Sequence, residues 1–186
     1  MIGAVLAGGA GRRLGPGSKP AVLLRDRPLV SYPVAALGSV CDRVAVVCKP
    51  DTELPELRRA ERWEEPAEPR HPLTGIVHAL ERADAPVLVC AADMPFVTPD
   101  ACRTLLSAAG SGGPAVVAVS EGVLQPVLGL YAPAALAALR AAPAGAALTA
   151  TVEALDPVRV ALPPAIVCSV NTPEDLGEAE AALELG

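Results

Sequence analysis

The sequence predicts an α/β fold, in which helices cover both faces of a mostly parallel sheet in a three-layer, Rossmann-like α/β/α arrangement. Two observations carry this expectation. Short runs rich in Val, Ile, Leu, Ala and Cys recur without the polar alternation of a half-exposed strand, as strands buried on both faces require. Between them lie longer segments with helix-like spacing, and alternation of the two kinds builds βαβ units. With 186 residues, 52% of them hydrophobic and 19% charged, the chain can bury one full core, so a single domain over 1–186 is expected.

Taken in order, the first strand is expected at 2–7 (IGAVLA), followed by a glycine-rich loop and a helix at about 28–38. A second strand follows at 43–48 (RVAVVC). The stretch 49–72 holds Pro50, Pro55, Pro66, Pro69 and Pro72 and reads as a long irregular excursion, a length that is often functional. Next come a helix at 73–83, a strand at 86–91 (PVLVCA), a helix at 99–108 and a strand at 114–119 (PAVVAV). Further strands are expected at 124–131, 157–161 and 166–169, with helices at 133–142, 146–154 and 173–184. Two helix starts are explicit in the residues. Thr98-Pro99-Asp100 and Thr172-Pro173-Glu174-Asp175 each supply a hydroxyl cap, a proline at the first helical position and acid in the first turn.

Composition excludes several function classes. A formal charge of −6 argues against a nucleic-acid surface, which needs a basic face. The first apolar run stops at Ala7, and no stretch approaches the roughly 20 apolar residues of a membrane span, so a soluble cytoplasmic protein is expected. Cysteines 41, 48, 90, 102 and 168 form no CxxC pair and read as reduced, buried thiols. His71 and His78 could share a helix face, but no third ligand stands at metal spacing.

Residues 6–19, LAGGAGRRLGPGSK, carry five glycines, two arginines and a lysine directly after the first buried strand. Such a loop lies at the carboxyl edge of the sheet, where open α/β folds bind ligands. Glycines let backbone N–H groups approach phosphate oxygens, and Arg12, Arg13 and Lys19 can neutralise their charge. The dinucleotide fingerprint would need a small residue where Leu14 stands, and the P-loop fails because Ser18 precedes Lys19 and Pro20 follows it. At a second strand end, CAADMPF (90–96) places Asp93 before a proline, where a carboxylate can hold a hard cation such as Mg²⁺.

The pattern LAGGxxxRxG with a lysine a few residues on resembles the signature of nucleotidyltransferases, carried here by Leu6, Ala7, Gly8, Gly9, Arg13, Gly15 and Lys19. Pro72-Leu73-Thr74-Gly75-Ile76, Asp93 with Pro95-Phe96, Gln125-Pro126-Val127-Leu128-Gly129-Leu130-Tyr131 and Val170-Asn171-Thr172-Pro173-Glu174-Asp175-Leu176 extend the likeness over nearly the whole chain. Together they resemble the molybdenum-cofactor guanylyltransferases. The resemblance implies a nucleotidyltransferase fold and transfer of GMP from GTP to the terminal phosphate of molybdenum-molybdopterin, with release of pyrophosphate. It implies Mg²⁺ on Asp93, a phosphate cradle from Leu6, Ala7, Gly8, Gly9 and Arg13, and Lys19 between attacking and transferred phosphates. Asn171 is implied on the acceptor side, and cofactor biosynthesis or delivery proteins are implied as partners.

The chain departs from that pattern at Ser18, where relatives often carry aspartate, at His71, where they carry glycine, and at Ser169, where they carry asparagine. Glu64-Glu65 stands for an acidic pair, which makes Glu65 a nucleotide contact by resemblance. The strand end where relatives place an asparagine near the base reads Val47-Cys48-Lys49 here, so by resemblance guanine selection is expected to rest on backbone groups or on Lys49. Cytidylyl transfer to molybdopterin, guanylyl transfer to cobinamide phosphate, sugar-phosphate nucleotidylation and a non-catalytic nucleotide-binding accessory role remain as alternatives.

Overall fold

A computed structural model describes residues 1–9, 19–143 and 145–184. In chain order the elements are β1 (Ile2–Leu6), β2 (Leu23–Leu24), β3 (Arg27–Pro28), α1 (Ser31–Gly38), β4 (Arg43–Cys48), β5 (Glu61–Glu64), α2 (Pro72–Ala83) and β6 (Val87–Ala91). They continue with α3 (Pro99–Ser107), β7 (Ala115–Ser120), β8 (Val123–Tyr131), α4 (Leu136–Arg140), α5 (Leu148–Glu153), β9 (Val158–Ala161), α6 (Pro164–Val167) and α7 (Pro173–Glu184).

The main sheet has seven strands in the order β5-β4-β1-β6-β8-β7-β9, and β2 pairs with β3 in a separate hairpin. β1 runs parallel to β4 and β6, β5 parallel to β4, and β9 parallel to β7. Only β8 is reversed, antiparallel to β6 and β7. Its reversal is local in origin. The two residues joining β7 to β8, Glu121 and Gly122, have φ of 50° and 80°, the left-handed pair that a tight hairpin with native strand twist uses.

Successive residues of the central strands feed opposite layers, the period-2 pattern of a sheet covered on both sides. In β4, Val44, Val46 and Cys48 enter one layer, and Ala45 and Val47 the other. The first layer takes Val34 and Leu37 of α1 with Cys102 and Leu105 of α3. The second takes Ile76, Ala79 and Leu80 of α2, Leu139 of α4 and Val152 of α5. A third, smaller cluster joins Leu24 and Leu29 at the hairpin to Val170 and to Ala179 of α7. No helix among the described residues is long and apolar enough to cross a membrane.

Three expectations need correction. The stretch 49–72 is not irregular throughout, because 61–64 forms β5 at the sheet edge. In β5 only Trp63 is buried, while Glu61, Arg62 and Glu64 face solvent, so the apolar run that marks the other strands is missing. The segment 166–169 is not a strand: Pro163 and Pro164 start the single helical turn α6, since proline fixes φ near the helical value. Of the stretch expected to start the helix at 28, Pro28 belongs instead to β3 and Leu29 and Val30 form a turn, so the helix begins at Ser31. Of the cysteines, Cys48, Cys90 and Cys102 are buried and Cys41 is half-buried, whereas Cys168 is exposed. Burial pushes the Cys102 thiol up to about 12 and the Cys41 thiol up to about 11.

Candidate active site

Because β1, β4, β5 and β6 are mutually parallel, their carboxyl ends reach the same edge. The register keeps them level: Leu6 lies beside Val47 and Ala91, and Cys48 beside Glu64. One to three residues past those ends stand Gly8 and Gly9, Lys49, Glu65 and Asp93. The ladder extends one step beyond each strand: Ala7 N–H donates to Val47 O (2.8 Å), Glu65 N–H to Cys48 O (2.9 Å) and Ala92 N–H to Leu6 O (3.0 Å). β1 is also where strand order reverses, with β4 and β5 on one side and β6 on the other, the switch point at which such sheets hold ligands. A cavity of about 560 Å³ opens there, lined by Leu6, Ala7, Gly8, Gly9, Lys19, Glu65, Arg70, His71, Asp93, Ser169 and Asn171 among others.

Lys19 begins a short 3-10 turn, Lys19–Ala21, which leads into the hairpin. Its ammonium donates to Asp93 Oδ2 at 2.5 Å and to Asn171 Oδ1 at 2.7 Å. The Lys19 and Asp93 side chains are 14% and 21% exposed, so they are half-enclosed by the cavity wall. Asn171 is carried there by two devices. Val170 N–H donates to Asp93 O (2.8 Å), tying the last loop to the end of β6. At the start of α7, Thr172 Oγ1 accepts from Asp175 N–H (3.1 Å), while Asp175 Oδ2 accepts from the N–H groups of Asn171 (2.8 Å) and Thr172 (3.0 Å). These bonds, that from Asn171 N–H first, hold the Asp175 carboxyl below the usual range. Arg13, Arg12, Leu14, Gly15 and Ser18 lie outside the described residues. Among the described residues, the N–H groups of Gly8 and Gly9 donate to no protein acceptor.

Glu65 is 4% exposed and packs directly on the glycine turn. A Cβ on Gly8 would stand 2.1 Å from Glu65 Oε1, so only glycine leaves room for this carboxylate. Glu65 Oε2 is buried and accepts no hydrogen bond, with Lys49 Nζ 3.5 Å away. Burial raises the Glu65 carboxyl above the usual range, against the opposing pull of Lys49 and Arg70. Lys49 is not in the cavity wall. Its side chain is 1% exposed, and its ammonium donates to Pro66 O (2.7 Å) and Pro69 O (2.8 Å).

Arg70 and His71 also line the cavity, and sequence reasoning assigned neither a role there. Arg70 is held by an ion pair with Asp51 at 2.5 Å. His71 caps α2 through Nδ1, which accepts from Leu73 N–H at 3.3 Å, with Pro72 at the first helical position. His71-Pro72 is a readable start signal of the cap-then-proline kind. Nothing local marks Arg70.

The oxygens that accept from Lys19 Nζ are one carboxylate and one amide oxygen, and no cluster of three His, Cys, Asp or Glu residues among those described could hold a metal alone. Two hard oxygens facing a roomy cavity suit Mg²⁺, which takes one or two carboxylates and completes its shell with phosphate oxygens and water.

The chain matches the family model described as MobA-like NTP transferase domain over residues 3–159. It is 34% identical over 197 residues to a molybdenum cofactor guanylyltransferase of Cereibacter sphaeroides, covering 98% of this chain and 97% of that protein. It is 31% identical over 188 residues to a probable molybdenum cofactor guanylyltransferase of Mycobacterium avium, covering 95% and 93%. Its fold is similar to that of molybdopterin-guanine dinucleotide biosynthesis protein A from Archaeoglobus fulgidus, with a TM-score of 0.79, 24% identity and 100% of both chains covered.

Proposed function

The chain belongs to the MobA-like NTP transferase domain family, and from that premise we propose that it transfers GMP from GTP to the terminal phosphate of molybdenum-molybdopterin. The products are the molybdopterin guanine dinucleotide and pyrophosphate. The observation that carries this reading is the gathering of Gly8, Gly9, Lys19, Asp93 and Asn171 on one cavity at the switch point of the sheet.

An oxygen of the acceptor phosphate attacks the α-phosphorus of GTP in line, a new P–O bond forms, and the bond from the α-phosphorus to the α–β bridging oxygen breaks, so that this oxygen leaves with the pyrophosphate. The acceptor is a phosphate monoester whose second pKa is about 6, so its oxygen is already ionised at neutral pH and needs no general base. Catalysis is therefore positioning and charge neutralisation. The N–H groups of Gly8 and Gly9 receive phosphate oxygens, and Arg13 adds charge to that loop. Lys19 has three N–H donors, two of them given to Asp93 and Asn171, so a third is left for a phosphate oxygen between donor and acceptor. Asp93 would hold Mg²⁺, with Asn171 beside it on the acceptor side, and the ion would supply further neutralisation of phosphate charge when bound. Glu65 Oε1, beside Gly8, takes the base: guanine presents a ring N–H and an exocyclic amine to one carboxylate, whereas adenine presents a ring lone pair that a carboxylate repels.

The test is pyrophosphate release by the purified protein with molybdenum-molybdopterin, Mg²⁺ and GTP, CTP, ATP or UTP in turn, with the product mass read in parallel. GTP is expected to give pyrophosphate and the guanine dinucleotide in equal amounts, and EDTA to abolish both. Preference for CTP would redirect the reading to cytidylyl transfer. Absence of pyrophosphate with every nucleotide would leave the accessory role.

A further inference from the structure

Lys49 is the most thoroughly enclosed charged side chain among the described residues, yet it faces the protein and not the cavity. Two of its N–H donors go to Pro66 O and Pro69 O, and what remains is directed at Glu65 Oε2, 3.5 Å away. The same lysine fixes the turn on its other side: Lys49 N–H donates to Thr52 Oγ1 (3.1 Å) and Lys49 O accepts from Thr52 N–H (3.0 Å). The segment between Glu65 and α2, which brings Arg70 and His71 to the cavity, is thus pinned to the end of β4 by one ammonium.

An uncompensated carboxylate at that depth would be expelled toward solvent or protonated. With Lys49 behind Oε2 and the bare Cα of Gly8 beside Oε1, the Glu65 carboxylate has one orientation. We infer that Lys49 is a positioning residue for base selection: it does not touch the nucleotide, and it fixes the Glu65 carboxylate against Gly8 so that Oε1 faces the base. Direct contact of Lys49 with the base would cost its bonds to the two proline carbonyls, which hold the wall of the cavity. This inference rests on the proposed role of Glu65 and goes beyond it by naming what sets that carboxylate in place.

The experiment measures kcat and KM for GTP and ATP in the wild type, Lys49→Met, Lys49→Arg, Glu65→Gln and the double variant Lys49→Met/Glu65→Gln. Lys49→Met is expected to raise the KM for GTP at least tenfold with kcat within about threefold, and to lower the GTP-over-ATP preference at least tenfold. Lys49→Arg keeps a cation behind Oε2 and is expected to recover most of that preference. The double variant is expected to discriminate no worse than Glu65→Gln alone, because Lys49 acts through Glu65. A Lys49→Met enzyme with wild-type preference, or one that loses kcat with KM unchanged, overturns the inference. A structure of the wild type with GTP tests it without any variant: Lys49 Nζ should remain on Pro66 O and Pro69 O, and a hydrogen bond from it to the base overturns the idea. A wild type that ignores GTP overturns the guanylyl reading instead, and the role of Lys49 is then read from the preference for whichever base is used.

Discussion

Lys19 Nζ lies 2.5 Å from Asp93 Oδ2, although 74 positions separate the two residues in the chain. The contact brings the end of the glycine loop to the end of β6 and puts a cation and an anion on the same cavity wall. Lys19→Ala and Asp93→Asn are each expected to lower kcat/KM about 100- to 1000-fold, the usual loss when one preorganised electrostatic group is removed. Steady-state pyrophosphate release measures this, with circular dichroism to show that the fold is kept. Near-normal turnover in Lys19→Ala would remove the mechanism.

Gly8→Ala places a methyl group 2.1 Å from the present position of Glu65 Oε1. Since Glu65 is enclosed by Lys49 and the α2 side of the cavity, it has nowhere to retreat without leaving its buried site. Overpacking of this kind costs about 1–3 kcal/mol. The variant should melt earlier, and GTP, expected to raise the melting temperature of the wild type, should leave that of the variant unchanged.

The raised Glu65 carboxyl sets the sign of a pH dependence. Its folded-state pKa lies above the ordinary glutamate value, so between those two values the folded protein binds the extra proton and the unfolded chain does not. Stability from this group is therefore greatest at acid pH and falls as pH rises through that interval. Glu65→Gln carries no such charge. Melting temperatures of the two proteins should coincide near pH 4 and separate toward neutral pH, with Glu65→Gln the more stable. A separation of the opposite sign would mean that attraction by Lys49 and Arg70 outweighs burial.

Thr98 and Thr172 offer a matched comparison. Each hydroxyl caps a helix by accepting a backbone N–H, from Ala101 at 3.2 Å and from Asp175 at 3.1 Å. Replacing either by alanine should cost about 1 kcal/mol, or roughly 2–4 °C in melting temperature for a chain of this size. Only Thr172→Ala should also raise the KM for the acceptor, because Asn171 precedes that cap and α3 carries no site residue.

The central strands were legible because burial on both faces writes an unbroken apolar run, as in 43–48 and 86–91. The carboxylate at 93 and the glycine turn at 8 and 9 could be assigned to one sheet edge for the same reason, since each directly follows such a run. β5 leaves no such mark, because an edge strand needs only one buried residue here, Trp63, and charged neighbours mask its period. The hairpin β2–β3 turns on Arg25 and Asp26, both with positive φ, where the sequence offers no glycine to mark it. The position of Lys49 follows from carbonyls 17 and 20 residues away, contacts that no local pattern reports.

The small cluster of Leu24, Leu29, Val170 and Ala179 has a dynamic consequence. It fastens the hairpin to the C-terminal helix with far less buried apolar surface than either layer beside the main sheet. Lys19 leads into one of these pieces and Asn171 into the other. Partial opening is therefore expected to begin at this seam, separating the lysine from the asparagine while β1 and β6 stay intact. Amide protons of the hairpin and of the terminal helix should exchange as a single early unit.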